Sequence, residues 1–74
     1  MHPWLVYMLL CGDGSLYVGI TNDLANRLEA HRTGKGARYT KGRGPLEVVW
    51  LEHAGEKGDA LRRERALKKL HRKW

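Results

Sequence analysis

Apolar positions along the 74-residue chain fall into short runs and helical stripes that are separated by glycine-rich breaks. The run Trp4–Cys11 is rich in aromatic and aliphatic residues and predicts a first strand. Two shorter runs, Leu16–Ile20 and Leu46–Leu51, predict a second and a third strand. Apolar positions at helical spacing predict one helix from Asp23 to Arg32 and another from Asp59 to about Arg72.

The predicted order β-β-α-β-α indicates an α+β fold, a small three-stranded antiparallel sheet flanked by helices. The chain is short enough for one domain at most, so we expect residues 1–74 to form a single domain. The sequence does not predict an oligomeric state.

The turn between the first two strands decides whether Tyr7 and Tyr17 share a face of the sheet. A two-residue loop at positions 13 and 14 would place Tyr17 opposite Leu10 and the tyrosines on opposite faces. A three-residue loop at positions 13 to 15 would place Tyr17 opposite Cys11 and both tyrosines on one face. We predict the three-residue loop.

Positive charge is confined to the later part of the chain. The formal net charge is +6, yet residues 1–26 contain no Lys or Arg and all 14 basic residues follow them. Such segregation predicts an electropositive surface whose partner is nucleic acid, with general solubility as the alternative. Segment 34–44 is rich in glycine and predicts a loop. Its candidate nucleic-acid-binding residues are Lys35, Arg38, Tyr39, Lys41 and Arg43.

Several other classes of protein are disfavoured. The single cysteine, Cys11, cannot form an internal disulfide, and we expect it to be a small buried residue. The longest apolar run is too short to span a bilayer as a helix, and no Lys or Arg precedes it as in a signal peptide. We therefore expect a cytoplasmic protein with no membrane or disulfide partner. His2, His53 and His71 show no metal-ligand spacing and are expected on the surface.

Each predicted helix carries a charged residue at or near its apolar face. Arg27 and His31 are four residues apart, so they share a face with two core-facing leucines. A guanidinium there needs an anion or a partner, unless it extends past the edge of the core. Glu64 lies at the margin of the second helix's apolar stripe. It could bind a metal ion through oxygen, or it could pair with Lys68 one turn later.

Five segments, in order, resemble the GIY-YIG nuclease superfamily, and in particular its small stand-alone bacterial branch, the YhbQ-like proteins. Leu5-Val6-Tyr7 and Tyr17-Val18-Gly19 stand at the two tyrosine motifs, although the first lacks the family's glycine. The other three segments are Asn26-Arg27-Leu28 with His31, Gly36 to Thr40, and Ala60 to Glu64. A polar residue that some members carry after the glutamate helix has no counterpart here.

The resemblance implies a GIY-YIG fold and a metal-dependent endonuclease that hydrolyses phosphodiester bonds in DNA, with branched or damaged DNA among its candidate substrates. Glu64 would hold one divalent ion, Mg2+ or Mn2+. Arg27 would brace the scissile phosphate, and Tyr7 would position water or phosphate. Tyr17 is the expected general base, and His31, which has the better intrinsic pKa, would orient it or take its proton.

Two other functions stay open at the level of sequence. A GIY-YIG-like domain could bind DNA or RNA without cutting it. A small basic structural protein of the ribosome or nucleoid would explain the charge, but it would not explain Arg27 and Glu64 on apolar faces. Metal-dependent cleavage distinguishes these functions, whereas salt-dependent binding does not.

Overall fold

The chain folds as three strands and two helices over the residues that the computed structural model describes, which are 3–71 without the side chains of Arg38 and His71. The elements are β1 (Trp4–Leu10), β2 (Leu16–Thr21), α1 (Leu24–Arg32), β3 (Glu47–Gly55) and α2 (Lys57–His71). The strands form one antiparallel sheet in the order β2-β1-β3. This arrangement confirms the predicted α+β fold.

The central strand, β1, is buried on both faces of the sheet. Successive side chains of a strand point to opposite faces, so Val6 and Met8 face α2 while Tyr7 and Leu9 face the other way. The apolar core beneath α2 consists of Val6, Met8, Val18, Ala60 and Leu67. Leu70, three residues after Leu67 on α2, is 52% exposed and does not extend this core. The opposite face carries the polar groups described below.

The hairpin register differs from the predicted one. The Cys11 N–H donates to the Ser15 carbonyl at 2.8 Å, so the three-residue loop begins at position 12 and not at position 13. Tyr17 therefore lies opposite Leu9, and the prediction that it faces Cys11 was wrong. The shift amounts to two residues of register, which leaves every side chain on the same face. The expectation that Tyr7 and Tyr17 share a face is confirmed.

Turn residues explain this register and connect the hairpin to segment 34–44. Gly14 adopts a φ of 85°, which suits the last position of such a loop. Asp13 accepts hydrogen bonds from the Ser15 hydroxyl and N–H and forms an ion pair with Arg43, and these contacts hold its pKa at about 2. The Gly12 N–H donates to the Arg43 carbonyl at 2.5 Å. The basic segment is therefore anchored on the hairpin.

β3 is longer than predicted, extending over Glu47–Gly55 where the pattern indicated Leu46–Leu51. Polar residues after position 51 resembled a strand end, but they continue to pair with β1. Glu52 is accommodated there because it accepts a 2.7 Å hydrogen bond from Arg63 of α2. The strand ends at Gly55, whose φ is 88°.

Helix α2 begins at Lys57, two residues before the predicted start at Asp59. Asp59 lies in the first turn, and its carboxylate accepts a hydrogen bond from the Glu56 N–H at 3.3 Å. It therefore stabilises the helix start from within the first turn, as the acidic member of a capping box does. The predicted end at Arg72 lies outside the described residues.

Segment 34–44 contains one turn of 3-10 helix, Arg38–Thr40, where a loop was predicted. Cys11 is 4% exposed, as expected of a small buried residue. His53 is exposed, whereas His2 and the His71 side chain lie outside the described residues. Within residues 3–71, neither helix has the length and apolar character needed to cross a membrane.

Candidate active site

The rings of Tyr7 and Tyr17 lie side by side on one face of the sheet. The apolar core beneath α2 lies on the other face. The centroids of the two tyrosine rings are 6.3 Å apart. Tyr7 is fully buried because its ring extends across Gly19, the residue paired with it on β2. A Cβ atom at Gly19 would lie 2.6 Å from the Tyr7 hydroxyl, closer than side chains approach one another. The glycine of the second motif therefore makes room for the tyrosine of the first.

Helix α1 brings Arg27 and His31 to the Tyr7 hydroxyl. The helix begins immediately after β2, where the Asp23 side chain caps it by accepting from the Asn26 N–H at 3.2 Å. Arg27 Nε donates to the Tyr7 oxygen at 3.4 Å, and His31 Nε2 lies 2.8 Å from the same oxygen. Arg27 and His31, four residues apart on one helix face, thus both contact the Tyr7 phenol. Tyr7 is the partner that a guanidinium on this face was expected to need.

A threonine that the sequence analysis did not single out completes this network. Thr40, in the 3-10 turn, is 2% exposed, and its hydroxyl oxygen lies 2.8 Å from His31 Nδ1. Gly36 packs against the same ring so closely that a Cβ there would lie 2.6 Å from Nδ1. Both residues fall within the segment that resembles the family's loop, but only the resemblance pointed to them, because neither is charged nor aromatic.

His31 does not hydrogen-bond to Tyr17, which differs from its predicted role. Its two ring nitrogens are engaged by Tyr7 and Thr40. Tyr17 packs against the imidazole edge-on, with ring centroids 5.2 Å apart and planes inclined by 63°. A proton that His31 exchanges within this cluster therefore passes through the Tyr7 or the Thr40 hydroxyl, and not directly to Tyr17.

Burial and the Arg27 charge shift the protonation of this cluster. Burial lowers the pKa of His31, and the nearby Arg27 charge lowers it further. Burial raises the pKa of Tyr7, while the hydrogen bond from Arg27 opposes that rise. The hydrogen bond to Tyr7 in turn raises the pKa of Arg27. At neutral pH the cluster consists of a neutral phenol, a neutral imidazole and a cationic guanidinium.

Acidification from pH 7.5 to pH 5 should therefore destabilise the fold through His31. His31 has a lower pKa in the folded than in the unfolded state, so the unfolded chain binds more protons below about pH 6.5. We expect the free energy of unfolding to fall between pH 7.5 and pH 5, and to level off below the folded pKa of His31. Asp13, with a pKa of about 2, stays ionised throughout this window.

Urea unfolding at several pH values, together with an NMR titration of the His31 ring, measures this effect. A stability that is flat or increases as the pH falls from 7.5 to 5 would contradict the neutral state of the buried His31.

Glu64 lies on α2 with its side chain 18% exposed and its Oε2 atom 3.5 Å from Lys68 Nζ. The ion-pair alternative is thus realised in the structure. Burial is the main cause of the raised pKa of Tyr7, and the negative charge of Glu64 is one of the smaller contributions. Glu64 is therefore close enough to the tyrosine cluster to act on it electrostatically. The structure shows the ion pair with Lys68 and is compatible with a metal-binding role for Glu64.

A metal ion at Glu64 would have a sparse set of protein ligands. Among residues 3–71, no group of three or more His, Cys, Asp or Glu side chains could enclose a metal ion. A largely buried carboxylate fits Mg2+, which keeps most of its waters and is held by one or two carboxylates together with substrate phosphate oxygens. The donor set is compatible with such an ion.

The basic segment lies directly beside the tyrosine pair. Tyr39, 43% exposed, stacks on Tyr17 with centroids 6.0 Å apart, and the Arg43 guanidinium lies 4.5 Å from the Tyr39 ring centre. Lys35 and Lys41 are exposed and form no ion pair with the side chains that the structure describes. The predicted binding residue Arg38 has its side chain outside the described residues. Four of the five predicted binding residues can therefore be located.

Residues 3–74 match the family model of the GIY-YIG catalytic domain. The chain belongs to the GIY-YIG family. Catalytic domains of the GIY-YIG family are typically nucleases, and these nucleases generally use a divalent metal ion. Membership also implies a nucleic-acid substrate.

Relatives that are somewhat longer than this chain support the assignment to the GIY-YIG family and to its small bacterial branch. A UPF0213 protein of Oceanobacillus iheyensis is 51% identical over 67 residues, which cover 90% of this chain and 78% of the relative. A UPF0213 protein of Xanthomonas axonopodis pv. citri is 46% identical over 72 residues, covering 97% and 71%. The solution NMR structure of a UPF0213 protein from Bacillus halodurans aligns with a TM-score of 0.55 at 44% identity, covering 89% and 70%.

Proposed function

We propose that this chain is a metal-dependent endonuclease that hydrolyses phosphodiester bonds in DNA, with branched or damaged DNA as its candidate substrates. The observation that carries the proposal is the convergence of Arg27 and His31 on the buried Tyr7 hydroxyl. Tyr17 and the basic segment lie beside this cluster, and Glu64 is within electrostatic range of it. A module that only binds nucleic acid has no need of a cationic group held on a buried phenol.

Arg27 is proposed to stabilise the charge that develops on the scissile phosphate. Its Nε–H donates to the Tyr7 oxygen, and we propose that the terminal nitrogens of the guanidinium donate to phosphate oxygens. A donor that is already held in place does not reorganise as charge builds, and this is how such groups lower a barrier. Tyr7 has no exposed surface, which supports a role in positioning Arg27 and weighs against the predicted direct contact with water or phosphate.

Tyr17 is proposed as the general base that activates water. It is only partly buried, and it lies between the cluster and the basic segment. A phenol at neutral pH needs a nearby cation to stabilise its anionic form, and Arg27 is a candidate because its interaction with Tyr17 is one of the smaller causes of the raised pKa of Arg27. His31 is proposed to act through Tyr7, which it contacts directly, and so to maintain the geometry around Arg27.

Glu64 is proposed to hold one divalent ion, Mg2+ or Mn2+, with water and substrate oxygens filling the other ligand positions. Such an ion supplies Lewis-acid stabilisation of the scissile phosphate and of the leaving oxygen. The carboxylate contributes one negative charge to the cation, and α2 holds it near the tyrosine cluster. Ion binding without DNA should be weak, because one carboxylate is a small protein ligand set.

The basic segment is proposed to bind the nucleic-acid backbone. Its lysines are exposed point charges, which suits contact with phosphates. Arg43 differs from them, because its guanidinium is shared with Asp13 and packs on Tyr39, so part of its role is to fix this segment. The proposed backbone contacts are Lys35, Arg38, Tyr39, Lys41 and Arg43.

A cleavage assay distinguishes the endonuclease from a non-cleaving binding module. Purified protein is incubated with supercoiled plasmid and with branched, nicked and single-stranded oligonucleotides, in Mg2+, in Mn2+ or in EDTA, and binding is measured in parallel. The endonuclease should cut at least one substrate with a metal ion and none in EDTA. Binding to all substrates without cleavage of any would favour the binding module.

A further inference from the structure

Thr40 connects the basic segment to the tyrosine cluster through one buried hydroxyl. This residue lies in the 3-10 turn between Tyr39 and Lys41, both proposed to contact DNA, and is 2% exposed. Its oxygen is 2.8 Å from His31 Nδ1 and 3.1 Å from the Ala37 carbonyl oxygen. None of the buried side-chain polar atoms described lacks a hydrogen-bond partner.

The Thr40 end of the network sets the direction of its hydrogen bonds. The Thr40 hydroxyl donates its only hydrogen to the Ala37 carbonyl, so its oxygen accepts from His31 Nδ1. At the other end, the Arg27 guanidinium can only donate, and the Tyr7 oxygen accepts from it. The Tyr7 hydrogen is donated to His31 Nε2 as long as Thr40 keeps the imidazole proton on Nδ1.

We propose that Thr40 is a positioning residue that fixes His31 in its Nδ1–H tautomer and thereby holds Tyr7 and Arg27 in register for catalysis. Which imidazole nitrogen carries the proton is set by the hydrogen bond that the other nitrogen makes. The tautomer itself is a property of the folded chain, whereas its effect on cleavage rests on the proposed function.

Loss of the Thr40 hydroxyl would release the opposite tautomer. His31 Nε2–H would then donate to the Tyr7 oxygen, in competition with Arg27 Nε, and the Tyr7 hydrogen would lose its buried acceptor. A buried donor without a partner is costly, so the phenol and the guanidinium would have to move. The same hydroxyl donates to the Ala37 carbonyl in the basic segment, so Thr40 joins this segment to the catalytic cluster.

The tautomer can be measured directly by NMR. The 15N shifts of the His31 imidazole distinguish a protonated Nδ1 from a protonated Nε2. We compare wild type with Thr40→Val, which keeps the shape and removes the hydroxyl, and with Thr40→Ser, which restores the hydroxyl. The Thr40 N–H also donates to the Ala37 carbonyl at 3.2 Å. Thr40→Val leaves this backbone hydrogen bond in place, so we expect the turn to be retained.

Wild type and Thr40→Ser should show Nδ1–H with an unprotonated Nε2, and Thr40→Val should shift toward Nε2–H. The proposal is overturned if wild type shows Nε2–H, or if Thr40→Val retains the wild-type pattern. The wild-type spectrum alone can overturn the proposal. The proposal therefore stays testable even if the Thr40→Val chain fails to fold.

Cleavage kinetics provide the functional arm. Thr40→Val should lower kcat by about 10- to 100-fold, as loss of a group that orients a functional histidine does, with KM for DNA nearly unchanged. Thr40→Ser should restore kcat. An equal loss in Thr40→Ser would overturn the positioning role. If no chain, wild type included, cleaves DNA, the proposed function fails and the NMR result alone decides the tautomer assignment.

Discussion

Replacing Arg27 with lysine should lower kcat for DNA cleavage by about 10²- to 10³-fold, the usual cost of removing one prearranged donor to a developing anion. Lysine keeps the charge, but it lacks the Nε–H that reaches the Tyr7 oxygen and the planar pair of donors for phosphate. Because charge is conserved, affinity for DNA should change little. The measurement is single-turnover cleavage of a labelled oligonucleotide, together with a binding titration.

Arg32 provides a matched control on the same helix. It is exposed, and its described partner is Glu29, three residues earlier on α1. Arg32→Lys should cleave at close to the wild-type rate, because both members of this ion pair are exposed and surface ion pairs contribute little. Equal losses in Arg27→Lys and Arg32→Lys, or no loss in either, would contradict the role assigned to Arg27.

Replacing Gly19 with alanine should both destabilise the fold and abolish cleavage. The new methyl group would lie 2.6 Å from the Tyr7 hydroxyl and 2.9 Å from the Tyr17 ring, so one or both rings must move. Overpacking of this kind costs about 1–3 kcal/mol in the free energy of unfolding. Activity should fall further than stability explains, because the displaced hydroxyl is the atom on which Arg27 and His31 converge.

Gly58 on α2 is the control for a glycine-to-alanine change. The nearest atom to a Cβ there is Arg62 Nη1 at 3.6 Å, an ordinary contact. Gly58→Ala should therefore raise the free energy of unfolding by about 0.4–1 kcal/mol, since alanine restricts the unfolded chain. Urea unfolding of both variants tests the pair. A Gly19→Ala chain that is as stable and as active as wild type would show that Tyr7 does not depend on the space above Gly19.

The architecture could be predicted from the sequence because it depends on local periodicity. Strand and helix patterns gave the order of elements, and the parity of the hairpin loop put Tyr7 and Tyr17 on one face. The loop position itself was missed, because either of two three-residue loops yields the same faces and only the Cys11–Ser15 hydrogen bond selects between them. The end of β3 was missed because Glu52 gains a partner on α2, a contact that local pattern cannot reveal.

The candidate site shows the same division between local and tertiary information. Arg27 and His31 were recognisable because a charged residue and an imidazole on a core-facing stripe require partners. The identity of their partner could not be recognised from the sequence, since Tyr7 lies 20 residues before Arg27 in the chain. Thr40 reaches His31 only through the 3-10 turn and the close approach of Gly36. A threonine in a glycine-rich loop gives no signal of that contact.

Cleavage by Glu64→Gln, compared with Lys68→Gln, tests the central claim most directly. The two residues form an ion pair, so a purely structural role predicts similar effects from removing either charge. A metal-binding role for Glu64 predicts that Glu64→Gln folds and binds DNA yet shows no detectable cleavage in Mg2+ or Mn2+. Lys68→Gln should cut at close to the wild-type rate. Cleavage by Glu64→Gln at the wild-type rate, or equal losses in both variants, would contradict a metal-dependent nuclease centred on Glu64.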